Sequence, residues 1–145
     1  MSHRVLIVED DHGIQQLLQA VLQHHGIECS TTGDGDGALK LLSRESFGAI
    51  LLDLLLPSVN GFDVLRHLKN TNDELLPRVI VITAAAETTL RDSEDLGRVR
   101  CVLRKPLDID ELMSHVAACL NGDGAGTLHD PEKVEGQRDI RWRSR

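Results

Sequence analysis

Short apolar runs alternate with amphipathic stretches along the chain, and the alternation predicts its elements. Val5-Leu6-Ile7-Val8 is a continuous apolar run, the pattern of a strand buried on both faces. Beyond an acidic stretch, Ile14, Leu17, Leu18, Val21 and Leu22 recur at helical spacing, and Gly26 supplies the stop. Ile27–Thr31 is a weaker strand, and Gly33 to Ser43 carries Ala38, Leu39, Leu41 and Leu42 at helical spacing. Ala49-Ile50-Leu51-Leu52 is a buried strand ending at Asp53. Pro57 and Gly61 punctuate the loop before a helix bearing Phe62, Leu65 and Leu68. Val79-Ile80-Val81-Ile82 is the clearest strand and ends at Thr83. Ala85 to Leu96 predicts a helix with only Leu90 and Leu96 as large apolar residues. Val99–Leu103 predicts a fifth strand interrupted by Arg100, and Asp108 an N-cap for a last helix through Leu120.

Five strands alternating with five helices imply βαβ units, hence a parallel sheet covered on both faces. The chain is too short for a closed eight-stranded barrel, so the expected fold class is α/β, an open doubly wound sheet. From Asn121 the pattern lapses into a glycine-rich segment. Residues 1–120 are therefore read as one domain and 121–145 as a flexible tail or linker.

Composition narrows the function. The net charge is −7, and five acids balance five bases past Asn121, so the excess belongs to residues 1–120. That balance disfavours nucleic acid and anionic membranes as partners. Phe47, Phe62 and Trp142 are the only aromatics among 145 residues, which makes the core aliphatic and removes base-stacking platforms. No apolar run approaches a membrane span, and Val5–Val8 runs into Glu9-Asp10-Asp11, so no signal-peptide core is expected there. Cys29, Cys101 and Cys119 are odd in number and far apart, neither a disulfide framework nor a zinc motif. A cytoplasmic location is expected.

Candidate chemistry stands at the strand ends. Glu9, Asp10 and Asp11 follow the first strand, Asp53 the third, Thr83 the fourth and Lys105 the fifth. In an open α/β sheet these ends share one rim, where ligands bind. Clustered carboxylates call for a cation, and an all-oxygen set with few protein ligands suits Mg²⁺. A carboxylate can also attack phosphorus to form an aspartyl phosphate. Asp53 is then the nucleophile, Glu9 and Asp10 hold the metal, and Lys105 and Thr83 bind phosphoryl oxygens. Each residue alone also has a plainer role: a helix cap for the acidic run and for Thr83, a loop position for Asp53, a surface side chain for Lys105.

The stretches Val5-Leu-Ile-Val-Glu-Asp-Asp11, Leu51-Leu-Asp-Leu-Leu-Leu-Pro57 with Gly61, Val79-Ile-Val-Ile-Thr-Ala84, and Lys105-Pro106 together resemble the receiver domain of bacterial two-component response regulators, over about residues 3–120. The resemblance implies a flavodoxin-like five-stranded sheet of order 2-1-3-4-5. It implies a phosphoryl-accepting signalling switch, modified on Asp53 by a sensor histidine kinase or phosphotransfer protein. It also implies Mg²⁺ bound by Asp10, Asp53 and the backbone carbonyl of Leu55, with Glu9 acting through water, and a cis Lys105–Pro106 peptide. Such a domain catalyses only its own phosphorylation and dephosphorylation and is not otherwise an enzyme. A phosphorylation-dependent homodimer stays open.

The chain departs from that family at Val102, where an aromatic side chain normally couples to Thr83, at Gly97-Arg98-Val99-Arg100 and at Leu107. Arg98, Arg100 and Arg104 are read as ordinary solvated charges, with signalling through them as the alternative. Two other functions are weighed. An aspartyl phosphohydrolase would want an acid two residues after the nucleophile, where Leu55 stands. A phosphorylation-independent interaction module is disfavoured by the acidic set, Thr83 and Lys105 and favoured only by Val102. The seven histidines show no metal spacing, and Arg141-Trp142-Arg143 is weak evidence for a partner contact.

Overall fold

A computed structural model describes residues 3–122, and the expected tail lies almost entirely outside them. The elements run β1 (Val5–Val8), α1 (His12–His24), β2 (Cys29–Thr32), α2 (Gly35–Arg44), β3 (Ala49–Leu52), α3 (Gly61–Thr71), β4 (Val79–Thr83), α4 (Glu87–Arg91), β5 (Cys101–Arg104) and α5 (Ile109–Leu120). Two 3-10 segments, Asp73–Arg78 and Glu94–Leu96, precede β4 and follow α4. The strands form one parallel sheet of order β2-β1-β3-β4-β5. Fold class, strand order and helix number all agree with expectation.

Period-two alternation divides the apolar runs between two cores. Val5, Ile7, Leu51, Ile80, Ile82 and Leu103 pack with Leu18 and Leu22 of α1 and Leu112 and Val116 of α5. Leu6, Val8, Ile50, Leu52, Val81 and Val102 pack with Ala38 of α2, Val64, Leu65 and Leu68 of α3, and Leu90 of α4. Because both faces are covered, β1, β3 and β4 need no polar positions, which is why they read as unbroken apolar runs.

The helix ends follow local chemistry. Asp11, Asp34, Asn60 and Asp108 cap α1, α2, α3 and α5 by accepting N–H groups of the first turn. Asn60 and Asp63 complete a reciprocal capping box. Helix α1 stops at Gly26, whose φ of 74° is the left-handed conformation that ends many helices.

The region from Ala85 to Arg104 differs from expectation. The predicted helix over Ala85–Leu96 is cut to five residues plus the 3-10 turn, because Ser93 takes an extended conformation. Ala86 at its start offers no capping side chain, and threonines at 88 and 89 favour the helix little. The fifth strand is displaced toward Arg104. Val99 and Arg100 precede it yet are buried, and the Arg100 N–H donates to the Val79 carbonyl at 2.9 Å.

Candidate functional site

The rim begins with backbone. The Glu9 N–H donates to Thr32 O and the Asp53 N–H to Val8 O, both at 3.0 Å, so the ladders that pair β1 with its neighbours carry on past the strand ends. Likewise Lys105 N–H donates to Thr83 O at 3.0 Å. Three charged side chains are thus placed by continuation of the sheet. The Lys105–Pro106 peptide is cis, as the resemblance implies.

Glu9 and Asp53 are buried, at 0% and 3% exposure, while Asp10 is exposed. Each of the three offers a carboxylate oxygen within 4.8 Å of the others', the one such cluster among the described residues. Lys105 Nζ stands 2.9 Å from Glu9 Oε1 and 2.9 Å from Asp53 Oδ2, and it directs its hydrogen bond to Asp53. Asp53 Oδ1 accepts the Leu55 N–H at 3.0 Å. Glu9 Oε2 accepts the Asp11 N–H at 3.1 Å, whereas Glu9 Oε1 is buried with the Lys105 ammonium as its partner.

The charges perturb one another. Burial pushes the Glu9 carboxyl above its ordinary range, with the Asp53 charge adding, and Lys105 and the Asp11 N–H offset this only in part. Burial works against the Lys105 ammonium, but the two carboxylates overcome it and its pKa lies above the ordinary lysine value. One ammonium serves two carboxylates, so the buried set keeps an excess negative charge. An excess of carboxylate over ammonium, a hard all-oxygen donor set and an exposed third carboxylate fit a divalent cation such as Mg²⁺.

Structure separates the acidic run into roles that sequence left mixed. Asp11 caps α1 by accepting the Ile14 N–H at 3.0 Å, and Glu9 and Asp10 join Asp53. Thr83 is fully buried and its Oγ1 accepts the Ala85 N–H at 3.0 Å, so it shapes the turn after β4 rather than capping α4. Leu55 leaves its side chain 52% exposed beside the rim.

Two residues take supporting roles that sequence reasoning did not give them. Gln15, one turn into α1, donates to the Glu9 carbonyl at 2.9 Å and fixes the strand end. Gly61 donates to Leu54 O at 3.0 Å, and a Cβ there would collide with the Asp53 carbonyl and the Leu54 Cα. Its use is close approach, which lets α3 abut the segment carrying Asp53. The arginines are a correction as well. Arg98 is a surface charge paired with Asp73 at 3.0 Å. Arg100, by contrast, is buried at 4% exposure with its Nε donating to His115 Nδ1 at 3.1 Å, and Arg104 keeps Nε and Nη1 out of solvent without an acceptor.

The response regulator receiver domain family matches residues 5–117. The chain belongs to that family. Sporulation initiation phosphotransferase F of Bacillus subtilis is 32% identical over 117 residues, covering 80% of this chain and 92% of that protein. Response regulator MprA of Mycolicibacterium vanbaalenii is 31% identical over 130 residues, covering 87% of this chain but only 55% of the relative. The chain thus spans nearly all of one relative and about half of the other. Among solved structures, the receiver domain of sensor histidine kinase PA1611 from Pseudomonas aeruginosa, with magnesium coordinated in its active site cleft, superposes with a TM-score of 0.73 at 25% identity, covering 83% of this chain and 99% of that one. Response regulator TrrA of Thermotoga maritima, in complex with Mg²⁺ and BeF, gives 0.71 at 25% identity, covering 81% and 99%. Receiver domains are signalling switches rather than enzymes in the usual sense, and they pair with histidine kinases or phosphotransfer proteins. This receiver domain is accordingly a phosphoryl-accepting two-component switch with the acidic pocket Glu9, Asp10 and Asp53 in place. No helix among its described residues is long and apolar enough to cross a membrane.

Proposed function

We propose that Asp53 is the phosphoryl acceptor of this receiver domain and that residues around it catalyse both gain and loss of the group. The observation carrying the reading is a buried rim carboxylate held from two sides, by the Leu55 N–H and the Lys105 ammonium. An Asp53 oxygen attacks phosphorus in line with the bond to the donor imidazole of a kinase or phosphotransfer protein. That P–N bond breaks, the imidazole nitrogen keeps the electron pair, and Asp53 becomes an acyl phosphate. Lys105 pairs with the phosphoryl oxygens, and the Thr83 hydroxyl, released from Ala85, takes another. In hydrolysis water attacks the same phosphorus, the Asp53 carboxylate departs and phosphate leaves. Asp10, Asp53, the Leu55 carbonyl and Glu9 through water would hold Mg²⁺, which when bound neutralises charge on the phosphoryl oxygens. The free thiols at Cys29, Cys101 and Cys119 support a cytoplasmic setting.

Incubation of the 145-residue chain with Mg²⁺ and acetyl phosphate is expected to add one phosphoryl group by intact mass. Asp53→Asn or EDTA is expected to abolish the adduct. An unmodified wild type overturns the assignment.

A further inference from the structure

Val102 fills its core position completely, at 1% exposure, and has neither the size nor the polar atom to report on Thr83. Two residues on, the same strand holds a half-buried charged group the pocket chemistry does not use. Arg104 is registered directly opposite Thr83 in the β4–β5 ladder. Val81 and Val102 lie in the core under α2, α3 and α4, and Ile82 and Leu103 in the opposite core, so alternation assigns Thr83 and Arg104 to the first face together. Arg104 Nε and Nη1 are out of solvent and have no acceptor. The hydroxyl of its cross-strand neighbour is engaged elsewhere: Thr83 Oγ1 accepts the Ala85 N–H at 3.0 Å.

Two guanidinium N–H groups shut away from water and left idle on a half-buried arginine are unfavourable unless an acceptor arrives. Phosphorylation at this rim brings one. An aspartyl phosphate adds negative charge and acceptor oxygens beside Thr83, and the planar fork of arginine fits a phosphoryl group better than an ammonium does. We infer that Arg104 is the reader of the phosphorylated state: its Nε–H and Nη1–H donate to the phosphoryl group on Asp53. The inference rests on Asp53 being the acceptor. The ligand is the chain's own phosphoryl group, and the differential interaction lies wholly in the modified state, as a switch requires. Arg104 thereby supplies the signal that Val102 cannot.

Beryllofluoride with Mg²⁺, as a phosphoryl stand-in, tests this on the full chain. Two readouts apply: beryllofluoride affinity, and the NMR resonance of the Arg104 Nε–H. In the wild type the Nε–H is expected to move downfield and exchange more slowly when beryllofluoride binds. Arg104→Met, which removes the donors at similar volume, is expected to weaken beryllofluoride binding about tenfold or more, with Arg104→Lys intermediate. The melting temperature of Arg104→Met without beryllofluoride is expected to equal or exceed that of the wild type, because an unsatisfied buried group is gone. Wild-type affinity in Arg104→Met overturns the inference, most plainly if its melting temperature drops, which would mark the arginine as structural. An Nε–H resonance that beryllofluoride does not move overturns it too. If the wild type accepts a phosphoryl group and Arg104 fails these tests, only the reader role falls. If the wild type takes up neither acetyl phosphate's phosphoryl group nor beryllofluoride, the assignment of Asp53 falls first.

Discussion

Helices α3 and α4 lie over the same core and are built to opposite standards. Helix α3 has eleven residues, a reciprocal capping box and Gly61, Val64, Leu65 and Leu68 buried. Helix α4 has five residues, no capping side chain and Leu90 alone buried. The first abuts the segment that carries Asp53, and the second follows the turn shaped by Thr83. Local stability tracks buried apolar contacts and satisfied helix ends, so α3 belongs to the stiff part of the domain and α4 to the part that opens at lower free energy. A switch needs both: a site held still for chemistry and a neighbouring element that a small change in interaction energy can move.

The sharpest way to break this contrast is Gly61→Ala. The added Cβ has backbone on its far side and no flexible side chain to displace, so α3 must retreat from Asp53. A loss of about 3 kcal/mol or more is expected in denaturant unfolding, together with impaired phosphoryl acceptance. A stability within error of wild type would show that α3 does not anchor the site.

Protonation probes the region around β5. Burial, reinforced by the Arg100 charge, pushes the His115 imidazole down to about 4 from its ordinary 6.5. The folded state therefore binds its proton less readily than the unfolded chain does. The contribution of His115 is complete above pH 6.5 and is lost as pH falls toward 4, by about 1–2 kcal/mol after allowance for its partial exposure. His115→Gln keeps an acceptor for Arg100 and should remove that share of the pH dependence, measured as the difference between the two unfolding curves.

The smallest effects compare the caps directly. Asn60→Ala should cost about 1 kcal/mol by loss of the box at α3. Ala86→Ser, which supplies the missing cap at α4, should add about 0.5–1 kcal/mol and slow amide exchange at Leu90. If Ala86→Ser is neutral and leaves exchange unchanged, α4 is not limited by its N-terminus.

What sequence disclosed, and what it did not, follows the same division. The parallel sheet could be inferred because unbroken apolar runs mean strands buried on both faces, and its order came only from the resemblance of the motifs at the strand ends to one family. Glu9, Asp10, Asp53, Thr83 and Lys105 were legible because each stands where a strand stops. The Ala85–Leu96 stretch misled, since its helical residues outnumber its breakers while Ser93 and the uncapped start decide the outcome. Gln15 and Gly61 were invisible as site residues because their contribution is to backbone: a hydrogen bond to a carbonyl and an absent Cβ. Arg100 and Arg104 read as surface charges because arginine usually is one, and only packing reveals that Arg100 is buried and that Arg104 is half-buried with two N–H groups out of solvent.

Cys101 and Cys119 lie in one core, on β5 and α5, and both are buried. Burial holds the Cys119 thiol above its ordinary pKa, so in the closed domain it is shielded and also poor in thiolate. A reagent that reacts only with thiolate must wait until strand and helix part. These two sulfurs are therefore a built-in clock, and their rate of modification counts how often the layer between β5 and α5 opens.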